Sequence, residues 1–237
     1  MISKKIGGVS SLNIDIRYVF EIIPELLTYL PITLYMTFAA MAIATVIGAI
    51  IAVILVNKTP IFMQLAKIYI SFFRGTPILV QLLMIYFGLP QIFPIFNDLG
   101  AIVSAIVAFG LNTSAYLAEI FRAGLTSVDK GQEEAAISVG MTYFQSLRSI
   151  VLPQAIRNAL PATGNMFIGL IKNSSLAFTI GVTELLAQGK MLASANLKFF
   201  EAYLAVGLIY WVLTLLYSQL QSWYEHRLSK QIGRAHV

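Results

Sequence analysis

The chain has 237 residues, 58% of them hydrophobic and only 11% charged, and its mean hydropathy is +0.79. A soluble domain carries about 25% charged residues, so this composition excludes a water-facing globule and fits one compact bundle dissolved in lipid. The absence of cysteine excludes a disulfide framework or thiolate metal site, two C-terminal histidines (His226, His236) are too few for a metal cage, and the net charge of +5 bears on membrane orientation rather than on nucleic acid.

Residues 1–25 carry Lys4, Lys5 and further polar and charged residues up to Glu25, and are expected to be an extracytoplasmic N-terminal segment. The first apolar run, Leu26–Val56, is too long and too late for a cleaved signal peptide and is read as a retained span. Four more runs approach the roughly 20 residues a helix needs to cross the hydrocarbon: Ile68–Leu89, Leu99–Phe121, Leu160–Val182 and Phe199–Leu220. All five are expected to be helical, because lipid offers no partner to a free backbone group, and the alternation of a membrane barrel is missing. The fold class is therefore all-α and integral to a membrane, with a transmembrane domain over residues 26–220 and a C-terminal tail over 221–237. Pro60, Pro90 and Pro94 punctuate the connectors, and the longest polar stretch, Arg122–Arg157, separates the third and fourth runs.

Five spans place the termini on opposite sides. One side holds Lys58, Lys67, Arg122, Lys130, Arg148, Arg157, Arg227, Lys230 and Arg234; the other holds Lys4, Lys5, Arg17, Lys190 and Lys198. Nine against five puts the long loop and the C-terminus in the cytoplasm and the N-terminus outside. Residues 232–237 read as what a common sequencing-adapter read-through encodes. If they are an assembly artefact, Arg234 drops out and the orientation stands; finding those codons on resequencing the 3′ end would sink the idea.

The long loop carries the most specific pattern. Glu134-Ala135-Ala136 is followed by three residues and Gly140, then by nine residues and Ile150-Val151-Leu152-Pro153. Ser127 or Asp129 can cap a short helix holding Glu133–Val139, with Glu133 and Glu134 near its positive end. Ala135 and Ala136 then form a small-residue face, Gly140 permits a left-handed end, and Thr142–Leu152 forms a second short helix that Pro153 helps to terminate or redirect. An amphipathic loop lying on the bilayer is the rival reading, but such a helix more often sets Lys or Arg beside bulky apolar residues.

This spacing resembles the loop of binding-protein-dependent ABC importer permeases of the MetI-like type, and Gly131-Gln132 and Gln154-Ala155 resemble its polar amino-acid branch. The resemblance covers about Thr33 to Leu228. It implies that Glu133, Glu134, Ala135, Ala136, Gly140 and Pro153 dock a cytoplasmic ATPase subunit, which binds the ATP; no cofactor is expected in this chain. It also implies a second permease subunit, identical or different, and an extracytoplasmic substrate-binding protein.

Ionisable residues at membrane depth default to a functional reading. Arg74-Gly75-Thr76-Pro77 lies inside the second run, where Pro77 and Gly75 predict a kink or unwound turn lining a cavity. Asn112, Tyr116 and Glu119 share one face of the third run, and Lys172-Asn173-Ser174 lies in the fourth, after Asn165. We expect Arg74 to meet the carboxylate of an amino acid and Glu119 its ammonium, with Asn112, Tyr116, Asn173 and Ser174 completing the site. Where a basic-amino-acid permease of the resembled branch shows K-D-S-S-L, this chain has Asn173, which favours a neutral zwitterion such as cystine or glutamine. The competing reading is that these groups only brace the bundle, with Arg74 and Lys172 snorkelling and Glu119 paired to Arg122 at i,i+3. Tyr69, Phe72 and Phe73 are read as packing, and Trp223 and Tyr224 as an interfacial belt.

The chain lacks the phosphate-cradling G-x-x-x-x-G-K-[ST] loop and shows no H-E-x-x-H, so it is read as non-enzymatic. A secondary transporter or channel, and a scaffold or sensor that moves nothing, are the alternatives. An odd number of spans without internal repeats speaks against the first, and polar residues on three spans against the second.

Overall fold

The computed structural model describes residues 14–233, with side chains through Arg227. Lys4, Lys5, Arg234, His236, the Lys230 side chain and most of the 232–237 segment lie outside the described residues.

Two short helices open the described chain, α1 (Ile16–Glu21) and α2 (Ile23–Leu27). Asp15 caps α1 through its side chain, which accepts from the Tyr18 amide. Pro24 starts α2, and Pro31 sits in the first turn of α3 (Leu30–Asn57), so the first long helix begins four residues later than Leu26. Tyr18, Val19 and Ile22 of the N-terminal segment, with Leu26, are buried against Leu185, Ala193, Ala202, Ala205, Val206 and Ile209 of the C-terminal half. Asp15 fastens this contact by an ion pair with Lys198 at 2.7 Å.

The second apolar run is broken within its length, at the turn that Gly75 and Pro77 predict. It divides into α4 (Pro60–Gly75) and α5 (Ile78–Leu83), and α5 runs on through a wide π turn (Met84–Gly88) into α6 (Leu89–Ile92). The axes on either side of Thr76-Pro77 differ by 107°. Thr76 is extended (φ −118°, ψ 148°) because the Pro77 ring disfavours a helical residue before it.

Helix α7 (Ala101–Thr126) runs through the centre. Its buried residues are mostly small, including Ser104, Ala105, Ala108, Gly110, Ala115 and Ala118, so α3, α4, α5 and α10 all approach its backbone. At Gly124 a methyl group would sit 2.7 Å from the Ala155 carbonyl oxygen, which shows how closely α10 crosses there. Phe109, fully covered, anchors the main apolar cluster with Met36, Leu82, Ile106 and Leu170.

After the polar loop the chain enters α10 (Leu152–Asn173), tightens into a 3₁₀ turn (Ser174–Ile180) and turns at Gly181, whose φ of +88° favours glycine. It then forms α11 (Leu185–Asn196), which the sequence reading left as a connector. Glu184 caps α11. One carboxylate oxygen accepts from the Ala187 amide at 2.9 Å and the other from the Tyr210 hydroxyl at 3.0 Å, so this fully buried side chain is satisfied. The last helix, α12 (Phe199–Gly233), continues through Leu220 without a break, so residues 221–233 of the tail are helical. Helices α3, α7 and α12 are long and apolar enough to cross a membrane, and each of the two bent pairs brings the number to five if counted as one span.

Candidate functional site

The corner between α4 and α5 leaves carbonyl oxygens at the end of α4 without helical partners. Two carboxamides fill that need. Gln81 Nε2 lies within hydrogen-bonding distance of Phe73 O (3.0 Å), Thr76 O (3.1 Å) and Thr76 Oγ1 (2.7 Å). Asn112 Nδ2, reaching over from α7, donates to Phe73 O (2.9 Å) and Gln81 Oε1 (3.0 Å). The Thr76 hydroxyl donates to Phe72 O at 2.8 Å. Gln81 is 2% exposed and Asn112 8%. Gln81 was missed by the sequence reading, although it is a lone amide in the apolar stretch from Ile78 to Leu89.

Beside this corner lies a cavity of about 270 Å³ whose wall includes Thr76, Pro77, Asn112, Thr113, Tyr116 and Asn173. Three parts of the fold meet there: the α4–α5 corner, α7 and the end of α10. The Arg74 guanidinium stands 5.3 Å from the centre of the Tyr116 ring, stacking a cation on an aromatic side chain of the cavity wall. Arg74 has no carboxylate partner among the described residues. The cavity therefore combines amides, two threonine hydroxyls and a phenol with a cation beside them and no carboxylate in its wall.

Three of the six expected substrate contacts, Asn112, Tyr116 and Asn173, thus come together, with Arg74 beside them. Glu119 and Ser174 do not. Glu119 Oε2 accepts from Arg122 Nη2 at 2.7 Å and Nε at 2.9 Å, the i,i+3 pairing weighed as the competing reading. Ser174 is fully buried and donates to the Ile171 carbonyl at 2.7 Å; the chain tightens to 3₁₀ after Asn173, which turns the next side chain off the wall. Lys172 and Asn165 are exposed. Tyr69 braces α4 on α7, its hydroxyl lying 2.7 Å from Ser114 Oγ and 3.0 Å from Leu111 O.

In the polar loop, Asp129 caps α8 (Lys130–Ser138) and accepts from the Gly131 amide at 2.7 Å. Ser127 is occupied elsewhere, donating to Gly124 O and accepting from Asn158. Glu133 lies in the first turn. Gly140 has φ +90°, and the helix closes with Gly140 N–H to Ile137 O and Met141 N–H to Ala136 O, a Schellman end. Thr142 and Gln145 then form a reciprocal capping box that starts α9 (Tyr143–Ser146).

Two loop expectations need correction. Ala135 and Ala136 do not share a face: about 100° apart on the helix, Ala136 packs inward at 4% exposure and Ala135 points out. The outer surface instead carries Glu134 and Ala135 with Ile137, Val139, Tyr143 and Phe144, bulky apolar residues that the sequence reading did not single out. Nor does Pro153 end a helix. A π turn (Leu147–Val151) precedes it, and the widened turn accommodates the ring and missing amide, so α9 runs through into α10.

The profile of the family described as "binding-protein-dependent transport system inner membrane component" matches residues 44–230. The chain belongs to this family. Among similar permeases, the probable amino-acid permease protein YxeN of Bacillus subtilis is 59% identical over 218 residues, covering 92% of this chain and 97% of that one. The probable amino-acid ABC transporter permease protein PatM of Vibrio harveyi is 46% identical, with 94% and 100% covered. The L-cystine transport system permease protein TcyL of Bacillus subtilis is 39% identical, with 93% and 94% covered. Among solved structures, a chain from an amino acid ABC transporter with histidines superposes with a TM-score of 0.82 at 39% identity, covering 91% of this permease and 100% of that chain. An inward-facing MetNI methionine ABC transporter gives 0.73 at 20% identity, a likeness of fold. The permease is thus the MetI-like helical assembly that the loop spacing implied.

Proposed function

We propose that this permease is the membrane subunit of an ATP-driven importer and carries an amino acid of no net charge through the cavity between the α4–α5 corner, α7 and α10. The observation that carries the reading is the composition of that cavity: Asn112, Tyr116 and Asn173 on its wall, Arg74 stacked on Tyr116, and no carboxylate among the lining residues. Arg74 attracts the substrate carboxylate, and neutral amides meet the rest. A cationic side chain would find no anion in the wall to offset its desolvation, which disfavours a basic substrate. The amino-acid permeases among its relatives support the substrate class.

The loop docks an ATPase subunit through Glu133, Glu134, Ala135 and Gly140, joined by exposed Ile137, Val139, Tyr143 and Phe144; buried Ala136 and Pro153 act from behind. ATP belongs to that partner. A second permease subunit completes the pathway, and a binding protein delivers substrate from the side facing the N-terminus. Because α9, the π turn and α10 form one continuous helical path from the loop to Asn173, a displacement at the docking surface reaches the cavity wall through hydrogen-bonded backbone. Closure of the ATPases then alternates access, provided each state makes different contacts with the substrate.

The test is substrate binding to the permease–ATPase complex in nanodiscs, with the binding protein omitted. Arg74→Gln should weaken amino-acid binding roughly ten-fold, as expected for losing one charge-assisted contact. Unchanged affinity in an intact complex would remove Arg74 from the site.

A further inference from the structure

Glu119 is the acidic residue that helical spacing offers to the substrate ammonium, but its carboxylate is spent on Arg122. The corner supplies another acceptor. Phe73 O is a backbone carbonyl and can only accept, so the Asn112 side chain must turn its NH₂ group toward it. Gln81 is fixed in the same way: its NH₂ group faces the carbonyl oxygens of Phe73 and Thr76, and its oxygen takes the second Asn112 hydrogen. Both donors of Asn112 are therefore committed to the corner. What remains is Oδ1, which no described donor reaches, on a residue that forms part of the cavity wall.

We infer that Asn112 Oδ1, held toward the cavity by Phe73 and Gln81, is the acceptor that reads the substrate α-ammonium. The inference rests on the substrate class proposed above and deepens it. It gives the cavity a polarity, with the carboxylate toward Arg74 and Tyr116 and the ammonium toward Asn112. An uncharged carbonyl in the ammonium position leaves Arg74 as the charge nearest the substrate, consistent with a zwitterion rather than a cation. It makes Gln81 a positioning residue, since Gln81 is not in the cavity wall and reaches the site through Asn112 and Thr76. It also ties recognition to the broken span, because the amide that faces the cavity is the one that closes the 107° corner.

The experiment compares amino acids with analogues lacking only the α-amino group, using L-glutamine against 4-carbamoylbutanoate and L-cystine against 3,3′-dithiodipropanoate. Binding is measured to the permease–ATPase complex in nanodiscs without the binding protein. The wild type should favour at least one amino acid over its analogue by roughly ten-fold, the value of one charge-assisted hydrogen bond. Asn112→Leu and Asn112→Asp both remove the donors to Phe73 and Gln81 and so damage the corner alike. Only Asn112→Asp keeps an acceptor at the cavity. Asn112→Leu should bring the two ligands within about twofold of each other, while Asn112→Asp and Glu119→Gln keep the preference. A preference retained in Asn112→Leu, or lost in Glu119→Gln, overturns the inference. Equal binding of amino acid and analogue by the wild type also overturns it and leaves the proposed function standing. Failure of the wild type to bind either amino acid would sink both.

Discussion

Replacing Gln81 with Leu keeps the side-chain bulk at the α4–α5 corner and removes its hydrogen bonds. Gln81 serves Phe73 O, Thr76 O and Thr76 Oγ1 and accepts from Asn112, with 2% of its surface exposed. In Gln81→Leu, Phe73 O still receives Asn112, and the Thr76 hydroxyl still donates to Phe72 O. Two groups are left orphaned: the Thr76 carbonyl and the second Asn112 hydrogen. An unsatisfied buried polar group costs about 1–3 kcal/mol, so the corner should lose about 2–6 kcal/mol, reduced by whatever water the neighbouring cavity admits. That is a large fraction of the 5–15 kcal/mol that typically separates folded from unfolded chains. Thermal unfolding of the purified complex in detergent, followed by intrinsic fluorescence, should show the midpoint falling by several degrees. Gln81→Glu should also destabilise, because a carboxylate would face two carbonyl oxygens. A Gln81→Leu complex melting within about 1 °C of wild type would refute the claim that these bonds hold the corner.

Gly140→Ala places a side chain on a φ of +90°, costing roughly 1–2 kcal/mol at the end of α8; substrate-stimulated ATP hydrolysis should fall while the span helices still melt cooperatively, and unaltered stimulation would show that the Schellman end is dispensable. Gly124→Ala drives a methyl group toward the Ala155 carbonyl 2.7 Å away and should destabilise the complex by about 1–3 kcal/mol; a neutral substitution would mean that α7 and α10 part freely at the base of the loop. Hydrogen bonds from Lys198 and then from the Tyr18 amide hold the Asp15 carboxyl below its ordinary 3.8, and the same Asp15 contact holds Lys198 above 10.5. The Asp15 contribution is thus present above pH 3.8 and lost as pH falls further, while that of Lys198 is present below 10.5 and lost as pH rises beyond it. The stability difference between wild type and Asp15→Asn should accordingly be flat from about pH 5 to about pH 9 and shrink in acid; a step near neutrality would contradict the pairing.

The parts of this fold visible in the sequence are those set by local chemistry. Asp129 capping α8, Gly140 ending it and the break at Thr76-Pro77 each depend on a few adjacent residues, and each is where the spacing put it. The apolar runs locate the spans because lipid imposes their length. What was not legible depends on neighbours distant in sequence. Pro77 announces a break but not an angle of 107°, which is set by Gln81 and by Asn112 from another helix. Helix α11 is moderately polar, and its start depends on Glu184, whose carboxylate is held by Tyr210 of α12. Helical spacing put Glu119 on the face of Asn112 and Tyr116, yet a guanidinium one turn on, at Arg122, claims its charge. Pro153 misled because the π turn that absorbs it leaves no signature in residue type.

On the function proposed here, this permease couples ATP hydrolysis in a partner to movement of an amino acid. The most direct measurement is the ATPase rate of the complete complex in proteoliposomes, with its binding protein, across a panel of amino acids. Neutral amino acids, cystine and glutamine among them, should include one or a few that stimulate hydrolysis, while lysine and arginine should not. A complex that is intact and hydrolysing ATP, yet answers no amino acid, would contradict the substrate assignment. Stimulation confined to lysine and arginine would contradict the reading of the cavity.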